Sequence, residues 1–237
     1  WLVLNPPSVA GFQPPNDTIT LTAVQDTLDE DDETIIVDIS GVTNATESGT
    51  QQSTVTITDD DAAPTVTLAV NNASVAENAG TSTATATLSA ASGKSVTVSL
   101  AFSGTATGSG TDYSTSASSI TISAGSTTGT ITLTAVQDTL DEDDETIIVD
   151  ISGVTNGTEN GTQTSTVTIT DDDAAPTVTL AVNNASVAEN AGTSTATATL
   201  SAASSKSVTV NLAFSGTATG SGTDYSTSAS SITVSAG

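Results

Sequence analysis

The chain has no cysteine, no methionine, no histidine and no arginine, and its 237 residues carry only two basic side chains, Lys94 and Lys206. Without cysteine there is no disulfide framework and no thiolate metal site. Without histidine and cysteine, the commonest general base and the strongest nucleophile are both gone. Without arginine and with two lysines, the chain lacks the cations that a phosphate backbone or an anionic membrane surface requires. Nucleic acid is therefore excluded as a partner. No apolar run is long enough to span a bilayer, so membrane insertion within this chain is not expected. No signal peptide precedes Trp1, which reads as a processed or truncated start. Aromatics are scarce too: one Trp, two Tyr and three Phe.

What is abundant is Thr, Ser, Ala, Val, Gly and acid. The 27 carboxylates give a formal net charge of −25, which suits cations or the solubility of an exposed protein. So polar a composition is compatible with disorder, but alternating apolar runs argue for strands.

Shifting the chain by 112 residues lays it on itself: Thr18–Gly125 matches Thr130–Gly237 with six differences, among them Ala45/Gly157, Gly93/Ser205 and Ser99/Asn211. That period is longer than a solenoid or propeller unit. It is the size of one β-sandwich domain. Within one period the alternation predicts strand A over Thr65–Asn71, continuing at Ser74–Glu77, and strand B over Thr81–Ser89. Strands C (Lys94–Ser103), D (Ser118–Ala124), E (Gly129–Gln137), F (Glu145–Ser152) and G (Gln163–Thr170) follow. Gly, Ser and Asn clusters separate them, and no helical period occurs. The expected fold is all-β: tandem immunoglobulin-like, seven-stranded antiparallel β-sandwiches with a 112-residue period.

The run DDDAAP (Asp59–Pro64 and Asp171–Pro176) marks the boundaries, proline stiffening a very short connection. Residues 1–61 then hold the C-terminal half of a domain, strands E to G preceded by a divergent leader, WLVLNPPSVAGFQ, expected to supply an edge strand. Residues 62–173 form a complete domain, and residues 174–237 the N-terminal half, strands A to D, of a further one. Two accounts fit these halves. The chain is a window from a longer array, or the C-terminal half of one protomer is completed by the N-terminal half of the next in a head-to-tail fibre.

In such a sandwich successive loops alternate between two ends. The A–B turn, the C–D loop, the E–F loop and the end of G share one pole. Eleven of the thirteen acids of residues 62–173 fall there: Glu77, Asp112, Asp138, Asp141–Glu145 and Asp171–Asp173. Asp150 and Glu159 lie elsewhere, and Lys94 is at the opposite end. Like charges this close repel by about 1 kcal/mol or more per pair at surface dielectrics. The chain offers almost no cation of its own. A hard external cation does: Ca²⁺ takes six to eight oxygens in flexible geometry, whereas Mg²⁺ demands a tighter octahedron. Zn²⁺ and Cu²⁺ are disfavoured without His or Cys. An EF-hand does not fit the acidic run, because Thr146 stands where its glycine belongs and Ser152 where its bidentate Glu belongs. Solvated acidic loops are the plainer reading, but solubility does not require four distant segments to share one end.

The pieces SVAENAG (Ser74–Gly80), GTATGSGTDY (Gly104–Tyr113), TITLTAVQDTLDEDDETIIVDIS (Thr130–Ser152) and STVTITDDD (Ser165–Asp173) resemble the Calx-beta domain, a sandwich module of sodium–calcium exchanger regulatory regions, integrin β4 and large bacterial surface proteins. The resemblance implies Ca²⁺ ligands at Glu77, Asp112, Asp138, Glu142, Asp171, Asp172 and Asp173. In the first half-domain it implies Asp26, Glu30, Asp59, Asp60 and Asp61, and in the last Glu189 and Asp224. Asp141, Asp143 and Asp144 are looser candidates, tuning the field around an ion. Ile147 and Ile35 depart from the family, which often has Phe there; this bears on packing, not ligands.

The expected function is a calcium-binding structural repeat of an extracellular or cell-surface fibre, stalk or adhesin, with Ca²⁺ at the junctions stiffening the array. Its partners are calcium ions and neighbouring repeats or identical protomers. The alternative is a spacer for a ligand- or glycan-binding adhesin or enzyme whose active domain lies outside this chain. An enzyme is not expected here. Carboxylate pairs can cleave glycosides, but no aromatic platform accompanies these, and no phosphate loop, G-x-S-x-G or triad histidine is present.

Overall fold

The computed structural model describes residues 17–237. The leader expected at residues 1–13 lies outside the described residues. The chain divides into two units, one holding Asp32–Asp59 and residues up to Thr27, the other Leu28–Asp31 and Asp60–Gly237. The described residues form strands and loops only, with no helix.

In the smaller unit β1 (Glu33–Asp38) pairs antiparallel with β2 (Gln52–Ile57). The larger unit opens with a complete sandwich. One sheet contains β3 (Thr65–Val70) and β5 (Thr81–Leu88); the other contains β4 (Ser74–Ala76), β6 (Val96–Gly104) and β8 (Ser119–Ile122). The short β7 (Tyr113–Thr115) and β9 (Thr128–Ala135) join the first sheet; β10 (Glu145–Thr155) joins the second. The two-residue β11 (Thr158–Glu159) lies at the edge of the first sheet, and β12 (Thr164–Thr170) lies in the second. The orders are β11-β3-β5-β9-β7 and β4-β12-β10-β6-β8. Beyond it run the hairpin-like pairs β13 (Val178–Val182) with β14 (Ala196–Leu200), and β15 (Val208–Asn211) with β16 (Ser231–Val234).

Period-2 patterning explains the sandwich. In β5, Ser82, Ala84, Ala86 and Leu88 face inward while threonines alternate outward. Val96, Val98 and Leu100 do the same in β6, and Ile147, Val149 and Ile151 in β10. Branched aliphatics and threonine suit this pleated, one-sided burial, each fully buried Val or Ile contributing about 1.5–3 kcal/mol. Two small side chains at central positions, Ala84 and Ala86, are fully buried, so the sheets close with little aromatic bulk between them. Tyr113 and Phe102 supply one ring pair, 6.5 Å between centroids.

Five details depart from the expected strands. Strand E of the first half-domain, expected ahead of β1, does not form among the described residues before Glu33. The two-residue β11, which was not expected, pairs parallel with β3. Strand A splits, β3 in one sheet and β4 in the other, where β4 runs parallel to β12. The C–D connection contains β7, which pairs with β9. Strand F runs on to Thr155 past a bulge between Ile151 and Gly153, beyond the expected end at Ser152.

Residues that match the core one period away are open elsewhere. Val178 and Leu180 are 40% and 56% exposed, against 0% and 6% for Val66 and Leu68. Ile39 and Val55 of the smaller unit are exposed, whereas Ile151 and Val167 are buried.

Candidate metal centre

The acidic pole is assembled by backbone bonds between four segments. At the end of β6, Gly104 has φ +119°, and an added Cβ would run into the Thr146 carbonyl oxygen. The chain therefore passes flat against the start of β10. Ala106 N–H donates to the Thr146 carbonyl (3.0 Å), and Thr146 N–H donates to Thr105 Oγ1 (2.8 Å). The loop then folds on itself: Asp112 N–H donates to the Thr107 carbonyl (2.9 Å), and Thr107 N–H returns to Asp112 Oδ2. Buried Tyr113 anchors this loop, and Asp112, just before it, is held beside Glu145.

At the A–B turn, Glu77 N–H donates to the Thr170 carbonyl (3.0 Å) at the end of β12. Asp138 N–H donates to Glu77 Oε1 (3.0 Å). Gly80 N–H closes the turn on the Ala76 carbonyl (3.1 Å), and its carbonyl accepts Ala135 N–H (2.9 Å). Glu77 is thus buried at the meeting point of the A–B turn, the E–F loop and the end of strand G.

Two carboxylate groups result. Glu77, Asp172 and Asp173 offer oxygens within 4.8 Å of one another, and so do Asp112, Glu142 and Glu145. Glu77, Asp112, Glu142, Asp143, Glu145 and Asp171 line one narrow pocket floored by Ile169. All the donors are oxygens, the set a hard cation prefers.

The electrostatics record the crowding. Burial, opposed by the Asp138 N–H, raises the Glu77 carboxyl above its usual range, and the charges of Asp138, Asp173 and Asp171 add to it. Burial, then Asp138 and Asp112, raise Glu142. Glu145 is pushed up to about 7 by burial, by the charge of Asp112 and by a hydrogen bond shared with it. Burial and its acidic neighbours Asp172 and Asp171 raise Asp173. These are groups held together in want of positive charge.

The expected ligands divide accordingly. Glu77, Asp112, Glu142, Asp172 and Asp173 enter the two groups, and Asp171 lines the pocket with Glu77, Asp112 and Glu142. Asp138 enters neither group; its exposed carboxylate accepts Leu140 N–H (2.7 Å). Asp144 accepts Asp171 N–H (3.2 Å). Asp141 is turned away and paired with Lys206 at 2.8 Å, with Asp143 at 3.6 Å from the same ammonium. The expectation that the chain cannot neutralise its own acids is thereby corrected for these two.

Elsewhere the expected ligands stand apart. Asp26 is exposed, its carbonyl accepting Gln25 Nε2–H (3.0 Å). Glu30 packs on Gly93. Asp59 N–H donates to Asp32 Oδ1 (3.1 Å). Asp60 is exposed and Asp61 half-buried. Glu189 is exposed, and Asp224 Oδ2 accepts Thr219 N–H (2.7 Å) as Asp112 accepts Thr107 N–H. Among the described residues, none of these seven belongs to a three-carboxylate group.

Glu145 is the member that sequence reasoning did not select. Its signal was parity: it shares the inward register of Ile147, Val149 and Ile151.

A family model described as the Calx-beta domain matches residues 10–61, 59–173 and 171–237. Among solved structures, the chain is similar to CBD12 from CALX1.2, with 20% identity and a TM-score of 0.40, over 48% of this chain and 48% of that one. It is also similar to the apo-form Calx CBD1 domain, with 20% identity and a TM-score of 0.37, over 45% of this chain and 99% of that one. The chain spans about half the length of the first of these structures (48%). No curated protein matches it.

Proposed function

The chain belongs to the Calx-beta domain family, and from that premise we propose that it is a calcium-binding structural repeat of an extracellular fibre, stalk or adhesin. Residues 62–173 are read as one complete domain between two halves. The observation that carries this reading is the meeting of Glu77, Asp112, Glu142, Glu145, Asp172 and Asp173 from four separate segments in two oxygen-only groups. Asp171 and Asp138 stand at their margin. Bound there, Ca²⁺ supplies the positive charge that these carboxylates lack.

The role of the ion is mechanical. Glu77 ties the A–B turn to the E–F loop and to the end of strand G, and Asp172 and Asp173 already belong to the connection to the next repeat. An ion shared by these groups fixes the loops and that connection together. Extracellular calcium at millimolar levels fills even sites of about 10⁻⁴–10⁻³ M. The chain acts as spacer, not enzyme, and any adhesive or catalytic specificity resides in other domains.

The apolar faces of residues 178–182 and of β1 and β2 carry a second proposal. Each is covered by the complementary strands of a like repeat, from the same polypeptide or from another copy. Light scattering on the purified chain separates the two sources: concentration-dependent polymers indicate complementation between copies, and a monomer at all concentrations contradicts it.

Calorimetric titration with CaCl₂ tests the metal reading. Saturable binding that Glu77→Gln with Glu142→Gln abolishes supports it; no heat with the folded chain overturns it.

A further inference from the structure

The only two basic side chains in the sequence occupy the same register of the repeat, and each is engaged in the same way. Lys206 follows β14 in the turn Ser204-Ser205-Lys206. Its ammonium lies 2.8 Å from Asp141 Oδ1, in the E–F loop of the preceding repeat. Ser204 Oγ donates to Asp141 Oδ2 (2.9 Å) and lies 3.2 Å from the Asp141 carbonyl, to which Ser205 N–H also donates (3.1 Å). Lys206 N–H donates to Ser204 Oγ (3.1 Å), which fixes the hydroxyl. Asp141 and Ser204 form an isolated parallel bridge. The aspartate side chain retains 9% of its exposure, and Ser204 2%.

One period earlier the set recurs inside the same unit. Lys94 lies 2.8 Å from Asp29 Oδ1, Ser92 Oγ donates to Asp29 Oδ2 (2.9 Å), Gly93 N–H donates to the Asp29 carbonyl (2.9 Å), and Asp29 and Ser92 form the matching bridge. A buried carboxylate without partners is costly. Here one ammonium, one hydroxyl and one backbone N–H are supplied by a single three-residue turn, and they satisfy the aspartate's carboxylate and carbonyl together.

We infer that the Ser-x-Lys turn between strands B and C is a docking surface whose partner is the E–F loop aspartate of the preceding repeat, a latch that joins successive repeats without metal. The latch fixes polarity: each repeat offers the aspartate at its acidic pole and the turn at its opposite end. It also gives the sparing use of lysine a purpose, since both cations are spent on this contact. Asp141 lies between Asp138 and Glu142, so one short loop faces the metal groups with Glu142 and the next repeat with Asp141.

Hydrogen exchange on the full chain in excess EDTA tests this apart from calcium. The Ser205 and Gly93 amides are expected to be protected in the unaltered chain. Lys206→Glu should lower Ser205 protection by at least about ten-fold while leaving Gly93 unchanged. The exchanged pair Asp141→Lys with Lys206→Asp should restore it. Should Lys206→Glu also expose the amides of β15, Lys206→Gln takes its place. Free exchange of Ser205 in the unaltered chain under EDTA overturns the proposal, as does full protection in both Lys206 variants. A failed calcium titration leaves the latch intact, and a failed latch leaves the calcium groups intact.

Discussion

Glu145 concentrates the chemistry of the acidic pole in one side chain. Its carboxyl, ordinarily near 4.5, stands at about 7, so the folded metal-free chain binds more protons than the unfolded one between those values. Stability of the metal-free chain therefore falls as pH rises from 4.5 to 7, the reverse of an ion-paired carboxylate. Glu77, Glu142 and Asp173, also raised, act in the same direction. Thermal melts in EDTA should show a higher Tm at pH 5 than at pH 7.5, and Glu145→Gln should flatten the difference. Calcium must compete with these protons, so its apparent affinity should rise with pH through 7. Titrations at pH 6 and pH 8 check this, tighter binding at pH 8 being the expected result. The importance of Glu145 was only partly legible in the sequence. Its inward parity could be counted, but its partner Asp112 reaches it only because the C–D loop folds back along Thr146, and no local pattern announces that return.

Among the elements, β10 links core and site. It holds Ile147, Val149 and Ile151 in the interior and delivers Glu145 at its mouth. Ile147→Ala should cost about 2–5 kcal/mol, read by urea denaturation. Gly104→Ala meets both a left-handed φ and the Thr146 carbonyl; it should cost about 1–3 kcal/mol and weaken calcium binding by moving Asp112. The strands of residues 62–173 were legible because Thr/Val alternation is unambiguous on a sheet with one buried face, but the stretch TITLTA that forms most of β9 forms no strand at Thr18–Ala23. The split of strand A and the three-residue β7 were not legible. Both depend on which neighbouring strand offers free backbone groups, which is decided by tertiary pairing.

For the whole molecule, the 112-residue repeat followed from laying the sequence on itself, and the gathering of four loops at one end from counting strands. The use of the lysines did not follow, because Lys94 and Lys206 acquire meaning only when one repeat meets the next. On the proposed function and the inferred latch, the joint has one metal-dependent contact and one that needs no metal. The most direct test is the thermal melt of the full chain at pH 7.5 in excess EDTA and in millimolar CaCl₂. With free calcium at about ten times Kd, one site adds about 1.4 kcal/mol, which at about 2–4 °C per kcal/mol raises Tm by roughly 3–6 °C. The account predicts that rise, and its loss in Glu77→Gln with Glu142→Gln; a Tm that is the same in EDTA and in calcium would contradict it.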